Sequence, residues 1–334
     1  MGLLIEGHWH TRGYDTGKSG RFEREAAKRR HWVTADGRPG PTGEGGFAAE
    51  AGRYHLYVSL ACPWAHRTLI LRRLKGLERL IDVSVVAWYM GPQGWTFDRD
   101  QGSTGDRLDG LDALHQRYTR DDPAYTGRVT VPVLWDTRKR RIVSNESADI
   151  VRMFNSAFDG LTDQCNDFYP QPLRPVIDAL NERIYPAVNN GVYRAGFATT
   201  QVAYEEAFDA LFAELDHLER LLETTRYLAG DYLTEADIRL FTTLIRFDAV
   251  YHGHFKCNLR RIEDYSNLSQ WLRELYQWPG IADTVDMTHI QRHYYLSHSS
   301  INPNGIVPKG PRLDLGRPHG RDRLPGRGIF QRQA

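Results

Sequence analysis

Residues 53–87 carry the pattern of a strand, a helix and a second strand. The six residues before Pro63 are apolar enough for a buried strand, and Leu69, Ile70 and Leu74 recur at helical spacing beyond it. The pattern predicts a helix over residues 63–75, with Pro63 at its first position, and a strand over 81–87. Such a unit implies parallel strands joined by a right-handed crossover, which restricts the chain to folds with a mixed or parallel sheet.

A hairpin and a helix follow the first unit. Residues 130–136 and 142–144 read as paired strands, Asn145 as a helix cap, and residues 148–154 as the helix. This order is that of an α/β, thioredoxin-like domain. Pro132 is unusual in a central strand, because it has no N–H to donate. A cis Val131–Pro132 bond would turn the backbone of Val131 toward a ligand, whereas a trans proline at a strand edge is the alternative.

The remaining chain divides into segments of different composition. Residues 1–51 are polar and predict an irregular N-terminal arm; residues 52–160 form the thioredoxin-like domain, with an inserted loop at about 90–127. Apolar residues at helical spacing over 161–298 predict a second, all-α domain. Within it, Thr234 and Asp237 form a capping arrangement of structural value. Residues 299–334 are rich in Pro, Gly and Arg and predict a tail that is extended to about 313 and mobile beyond.

Charge and hydrophobicity exclude several classes of function. The 334 residues include 43 Lys and Arg against 42 Asp and Glu, a net charge of +1, which gives no electrostatic basis for binding nucleic acid or an anionic membrane. No run approaches the roughly 18 apolar residues of a membrane span, and the N-terminus lacks the features of a signal peptide. Three widely separated cysteines cannot form a disulfide framework. These observations predict a cytoplasmic protein.

Cys62 is the candidate reactive group. It lies at the predicted strand-to-helix turn, where helix N–H groups favour the thiolate and therefore nucleophilic attack. Ala65 occupies the position where a dithiol motif would have its second cysteine. A redox centre with one cysteine takes its second thiol from solution, and the commonest soluble thiol is glutathione. Cys165 and Cys257 are interpreted as buried hydrophobic residues.

Several stretches together resemble one family. Cys-Pro-Trp-Ala within residues 60–69, Val-Pro within 128–136, Asn-Glu-Ser within 142–155, and the segments 191–201 and 302–310 are similar to the glutathionyl-hydroquinone reductases, the Xi class of glutathione transferases. The resemblance runs from the arm to about residue 312. It implies an N-terminal thioredoxin-like domain followed by a C-terminal helical glutathione-transferase domain, and it implies a homodimer.

The resemblance also implies where glutathione lies as the co-substrate. Its sulfur would be at Cys62, and Val131 would pair with its cysteinyl backbone. Glu146 and Ser147 would hold the γ-glutamyl end, since free N–H groups at a helix start bind a carboxylate and Glu146 can pair with an ammonium. The remaining contacts implied are Trp95 and Arg128, the latter to the glycyl carboxylate.

Three tyrosines match positions that the family places around an aromatic substrate. Tyr193 would donate a proton, and Tyr251 and Tyr294 would support it by hydrogen bonds. The implied reaction is reduction of a glutathionyl-hydroquinone through a mixed disulfide of Cys62 and glutathione. No metal is expected, because nothing nearby supplies the carboxylate or thiolate ligands of a metal site to the His-rich segments at 8–10 and 252–254.

Other functions remain open at this level. A glutaredoxin-like thiol transferase, or a dehydroascorbate-type reductase, would use Cys62 with a different leaving group. A conjugating transferase would need a serine or tyrosine to activate glutathione, and Ser59 lies inside the predicted strand. A non-catalytic glutathione-binding scaffold would keep the fold and lose the nucleophile, which the presence of Cys62, Glu146 and Ser147 disfavours.

Overall fold

The computed structural model describes residues 2–13 and 16–332. Residues 1, 14 and 15 of the predicted arm and 333 and 334 of the predicted tail lie outside the described residues. The strands are β1 Leu3–Ile5, β2 His8–His10, β3 Tyr54–Val58, β4 Ile81–Val85, β5 Gly127–Arg128, β6 Val133–Asp136, β7 Arg141–Ser144, β8 Asn166–Asp167 and β9 Phe330–Gln331. The helices are α1 Pro63–Leu74, α2 His115–Asp121, α3 Ser147–Ser156, α4 Arg174–Ile184, α5 Gly191–Gly196, α6 Gln201–Thr224, α7 Glu235–Leu244, α8 His252–His254, α9 Ser266–Gln277 and α10 Met287–Ser297.

A four-stranded mixed sheet forms the N-terminal domain. The strand order is β4-β3-β6-β7, with β3 and β4 parallel and the other two pairs antiparallel. Every residue of β3 is buried, as expected for a strand covered on both faces. Helix α1 packs against α3 and also against α7 of the helical domain, so the two domains share a packed boundary. The predicted α/β thioredoxin-like domain followed by a helical domain is confirmed.

The helical domain is built around α6, which spans 24 residues and packs on α5 and α9. Its core contains the apolar residues that gave the helical periodicity, among them Leu211, Leu215 and Leu218, which are fully buried. Two π-helical turns, Tyr185–Asn189 and Phe247–Tyr251, precede α5 and α8. π-Turns of this kind are frequent at functional sites, since they shift the register of the side chains that follow.

Helices α2, α5, α8 and α10 were not anticipated by the periodicity. Helix α2 lies inside the inserted loop, and its Tyr118 is fully buried. Helices α5 and α10 carry Tyr193 and Tyr294. The buried face of α10 includes His289 and His293 beside Ile290. Because these positions are histidines and not aliphatic residues, the sequence shows no apolar repeat at helical spacing here.

The arm and the tail are both more ordered than their composition indicates. In the arm, β1 and β2 form a hairpin that pairs with β5 of the inserted loop. In the tail, β9 pairs with β8, and the fully buried Arg321 donates to the carbonyls of Leu222, Thr225 and Arg226 at the end of α6. The tail beyond residue 313, which the composition predicts to be mobile, thus makes specific contacts, because the Arg321 guanidinium satisfies carbonyls left open at the end of α6.

Among the helices of residues 2–13 and 16–332, none is long and apolar enough to cross a bilayer.

Candidate active site

Cys62 lies at the turn between β3 and α1. It is the N-cap residue of α1, and Pro63 follows at the first helical position. The Val131–Pro132 peptide bond is cis, and the carbonyl oxygen of Val131 lies 3.6 Å from the Sγ of Cys62. Val131 and Cys62 thus face the same space at the edge of the sheet domain.

The electrostatic surroundings of Cys62 contain two opposing effects. Enclosure by the protein raises the pKa of the Cys62 thiol, while the N–H groups of Ala65 and Trp64 and the positive charges of Arg246 and Arg24 lower it. Desolvation is the largest of these influences, so the pKa is raised on balance. The helix N–H groups act in the expected direction, but their effect on the pKa is smaller than that of desolvation.

The three predicted tyrosines meet across the pocket from the thiol. The hydroxyls of Tyr193 and Tyr294 are 2.5 Å apart, and those of Tyr294 and Tyr251 are 2.9 Å apart. Tyr193 and Tyr294 line the same pocket as Cys62, and Tyr251 lies behind them, fully buried. Burial raises the pKa of Tyr193, Tyr251 and Tyr294, so all three phenols stay protonated at neutral pH.

We call this space the thiol pocket. It is lined by Gly2, Trp9, Phe22, Arg24, Cys62, Pro63, Trp64, Met90, Gly94, Trp95, Arg128, Val129, Thr130, Val131, Tyr193, Phe197, His293, Tyr294 and His298. The ring of Trp95 is stacked on His293 with centroids 4.8 Å apart, which holds both side chains in the wall. The pocket therefore combines one thiol, phenolic hydroxyls, imidazoles and a largely aromatic surface, as expected for a site that takes an aromatic ligand.

A second space, the arm cleft, adjoins the thiol pocket. Its lining consists of Arg24, Glu25, Ala26, Ala27, Lys28, Trp64, Tyr125, Arg128, Thr130, Val131, Pro132, Asn145, Glu146, Ser147 and Tyr185. Arg24, Trp64, Arg128, Thr130 and Val131 belong to both spaces, so one elongated ligand can extend from Glu146 to Cys62.

At the far end of the arm cleft, Glu146 is the N-cap of α3. Its Oε1 accepts from the Ala148 N–H at 3.0 Å, so this carboxylate already holds one of the N–H groups expected to bind an anion. Asn145 was expected to be the cap. Instead its Oδ1 accepts from the backbone of Arg29 and its amide donates to the hydroxyl of Tyr118, which ties the arm to the inserted loop.

The predicted contact residue Arg128 is engaged with the arm. Its guanidinium donates to the carbonyl oxygens of Arg12 at 2.6 Å and Gly13 at 2.7 Å. It lines both spaces, so its implied contact with a glycyl carboxylate remains a prediction.

Comparisons with known proteins place these features in a family. The glutathione S-transferase N-terminal domain family matches residues 61–157, and the corresponding C-terminal domain family matches residues 201–274. The chain is 60% identical to glutathionyl-hydroquinone reductase YqjG of Escherichia coli K12, over 96% of this chain and 99% of that protein. It is 55% identical to glutathionyl-hydroquinone reductase PcpF of Sphingobium chlorophenolicum, over 94% and 98%.

Solved structures of related proteins have the same fold as this chain. The glutathione-bound structure of YqjG superimposes with a TM-score of 0.90 at 57% identity, over 96% of this chain and 99% of that one. The Xi-class transferase of Natrialba magadii gives a TM-score of 0.90 at 50% identity, over 98% of both chains. The chain belongs to the Xi-class glutathione transferases.

Several residues of this Xi-class transferase site were missed by sequence reasoning. The guanidinium of Arg24, from the arm, lies 4.9 Å from the centre of the Trp64 ring and 5.0 Å from that of Tyr193, and it donates to Asn190. Phe22 and the pair His293 and His298 also line the thiol pocket. No local sequence pattern distinguishes these residues, because arginines are common in a charged arm and histidines are common on a polar helix.

The other two cysteines of the transferase differ from one another. Cys257 is fully buried, as expected, but Cys165 is exposed, so its interpretation as a buried residue is wrong. Cys165 lies in the connection before β8. Its backbone carbonyl accepts a hydrogen bond from the backbone N–H of Arg332. Among the described residues, no three His, Cys, Asp or Glu side chains are grouped as a metal site requires.

Proposed function

We propose that this transferase reduces glutathionyl-hydroquinones to hydroquinones, with glutathione as the second substrate and a Cys62–glutathione mixed disulfide as the intermediate. The observation that carries this proposal is the shared lining of one pocket by the Cys62 thiol and the Tyr193 hydroxyl. Two relatives, YqjG and PcpF, bear the name of this activity.

Glutathione extends from the arm cleft into the thiol pocket in this proposal. Its γ-glutamyl end lies near Glu146 and Ser147, its cysteinyl backbone lies along Val131, and its sulfur is beside Cys62. The continuity of the two spaces through Thr130 and Val131 supports this placement. Trp95 and Arg128 complete the contacts from the wall of the thiol pocket.

The first half of the reaction breaks a thioether. The Cys62 thiolate attacks the glutathionyl sulfur, an S–S bond forms, and the bond from that sulfur to the ring carbon breaks. The ring carbon takes a proton from Tyr193, and the hydroquinone leaves. In the second half, the thiolate of another glutathione attacks the mixed disulfide, which releases oxidised glutathione and restores the Cys62 thiolate. Ala65 fits this sequence, because a cysteine there would resolve the mixed disulfide within the protein.

The hydroxyl chain supports Tyr193 as the proton donor. Three hydroxyls share two hydrogen bonds, so if Tyr251 donates to Tyr294 and Tyr294 donates to Tyr193, the proton of Tyr193 is free to face the pocket. The bond that Tyr193 accepts also stabilises negative charge on its oxygen once the proton has left. Tyr251 and Tyr294 are thus positioning residues.

Substitution of the two central residues tests the proposal. Cys62→Ser removes the nucleophile and should reduce turnover of glutathionyl-menadiol by at least about 10³-fold, whereas Cys165→Ser, which changes an exposed thiol, should retain it. In the wild type, mass spectrometry should find one glutathione on Cys62. Full activity of Cys62→Ser would overturn the assignment of the nucleophile.

A glutaredoxin-like reaction is distinguished by its leaving group. Tyr193→Phe should lower kcat for thioether cleavage by about 10² or more, since general acid catalysis contributes that much, and should affect disulfide reduction far less. An equal loss on both substrates would favour the thiol transferase instead.

We further propose that the transferase acts as a homodimer in the cytoplasm. The unpaired state of all three cysteines suits a reducing compartment. Light scattering after size-exclusion chromatography should give twice the 38.4 kDa chain mass, and a mass of one chain would contradict the dimer.

A further inference from the structure

The imidazole ring of His293 forms part of the wall of the thiol pocket. It lies on α10 next to Tyr294, is 6% exposed, and lines the pocket together with Cys62. Its Nδ1 lies 2.9 Å from the carbonyl oxygen of Trp88. A carbonyl oxygen can only accept, so Nδ1 must carry a proton and donate it to Trp88.

The second ring nitrogen of His293 is consequently a hydrogen-bond acceptor. Burial lowers the pKa of His293 to about 4, so the ring is neutral at physiological pH and its Nε2 has a free lone pair. Within residues 2–13 and 16–332, Nε2 makes no hydrogen bond, while Nδ1 contacts Trp88 and, at 3.3 Å, the hydroxyl of Ser297. Stacking on Trp95 fixes the plane of the ring.

The other polar groups of the thiol pocket are mainly donors. Tyr193 offers its phenolic proton, whereas Tyr294 uses its proton in the bond to Tyr193, and Arg24 and Arg128 are cations that donate only. The Nδ1 of His298 is already bonded to Nε2 of His254 at 3.1 Å. An aromatic ligand with a free hydroxyl brings a donor into this pocket, and the lone pair of His293 complements it.

We propose that His293 determines specificity for a free phenolic hydroxyl, by accepting its hydrogen bond at Nε2, so that hydroquinone conjugates are preferred to their O-alkylated counterparts. The inference rests on the proposed function and deepens it, since it assigns a recognition group for the aromatic half of the substrate. His293 binds this hydroxyl and takes no part in the attack by Cys62.

The size of the preference follows from the cost of an unpaired buried acceptor. An O-methyl ether cannot donate, so Nε2 would lose water without gaining a partner, and the methyl group would be forced against the ring. The loss of this hydrogen bond to Nε2 corresponds to a preference of about 10- to 100-fold for the ligand with the hydroxyl over its methyl ether.

Binding to a non-turnover protein tests this directly. In the Cys62→Ser background, dissociation constants are measured by calorimetry for 2-(glutathion-S-yl)hydroquinone and for its dimethyl ether. The hydroquinone should bind about 10- to 100-fold more tightly. His293→Phe, which keeps an aromatic ring against Trp95, should reduce that ratio to about threefold or less, and His293→Gln, whose amide oxygen can accept, should restore part of it.

The matched control is His289→Phe on the same helix. His289 is also buried and packs edge-on against Trp88, with ring centroids 5.4 Å apart, but it is not part of the pocket lining. This variant should keep the wild-type ratio. An unchanged ratio in His293→Phe, an equal weakening of both ligands, or no preference before substitution would each overturn the inference.

Turnover separates this inference from the proposed function. If the wild type binds the hydroquinone conjugate selectively but does not cleave it, the proposed reaction is wrong and the role of His293 stands. If cleavage is efficient and the ether is cleaved equally well, the reaction stands and the role of His293 is wrong. The binding ratio should also be constant between pH 6 and 8, because His293 does not become protonated in that range.

Discussion

At the residue scale, Cys62 shows how a position that favours a thiolate can still hold a thiol. The α1 N-terminus and two nearby guanidinium groups stabilise negative charge on sulfur, but enclosure among aromatic side chains removes the water that would stabilise it further. Desolvation is the larger effect, so the pKa of the Cys62 thiol is raised on balance. The reactivity of Cys62 should therefore depend on pH.

The pH dependence of Cys62 alkylation tests this balance. Because the thiol pKa is raised, the thiolate fraction at pH 7 is small and increases about tenfold per pH unit. The rate of reaction with iodoacetamide should rise continuously from pH 7 to pH 9. Peptide mass spectrometry can follow Cys62 and, as a reference in the same chain, the exposed Cys165. A plateau of Cys62 labelling by pH 7 would show a lowered pKa and contradict the expectation.

At the element scale, the start of α7 depends on one buried carboxylate. Asp237 accepts from the N–H groups of Leu228 at 2.9 Å and Thr234 at 3.0 Å, and from the indole of Trp271 at 3.0 Å. It thereby joins the turn before α7, the cap of α7 and the core helix α9. The capping arrangement foreseen from the sequence is present, and the contact with Trp271 extends it into tertiary structure.

Removal of that carboxylate should destabilise the protein severely. Asp237→Ala leaves four buried donors without their acceptor: the N–H groups of Leu228 and Thr234, the Thr234 hydroxyl and the Trp271 indole. Removing one partner from a buried charged network typically costs about 3–5 kcal/mol, so the free energy of unfolding should fall by about that much. Asp237→Asn, which keeps one acceptor oxygen, should cost less. Urea unfolding followed by circular dichroism measures both. Asp209→Ala, on the exposed side of α6, is the control and should change the value by no more than about 0.5 kcal/mol. A loss below 1 kcal/mol in Asp237→Ala would contradict this role.

At the scale of the whole molecule, Arg246 connects the two domains at the reactive turn. This fully buried side chain, just after α7, donates to the carbonyls of Leu60 at 3.0 Å and Ala61 at 2.8 Å. It also contacts Nδ1 of His66 at 3.1 Å. Within the described residues no carboxylate lies at ion-pair distance from its guanidinium, so its positive charge acts on Cys62 without local neutralisation.

Substitution of Arg246 should reduce the reactivity of Cys62. Without the cation, the thiolate loses electrostatic support, so alkylation of Cys62 at pH 7 should be slower in Arg246→Gln than in the wild type. Arg246→Lys, which keeps the charge, should show a smaller change. The control is Arg220→Gln on the exposed face of α6. An unchanged rate in a folded Arg246→Gln protein would exclude electrostatic support by this residue.

The sequence by itself determined the succession of strands and helices in the N-terminal domain, the long helices, and the turn that carries Cys62. These features depend on local periodicity, on proline and capping residues, and on an apolar strand, all of which are visible within short windows. The resemblance to the Xi class then indicated Tyr193, Tyr251, Tyr294, Glu146 and Ser147.

Only the tertiary structure decided which groups surround the thiol. Arg24, His293 and Arg246 reach the site from the arm, α10 and the end of α7, and no local pattern distinguishes them from other arginines and histidines. The fixed proton on Nδ1 of His293 depends on the carbonyl of Trp88, 205 positions away. The raised pKa of Cys62 arises from enclosure by the whole pocket. Desolvation and the direction of a hydrogen bond are properties of packed neighbours, so they exist only once the chain has folded.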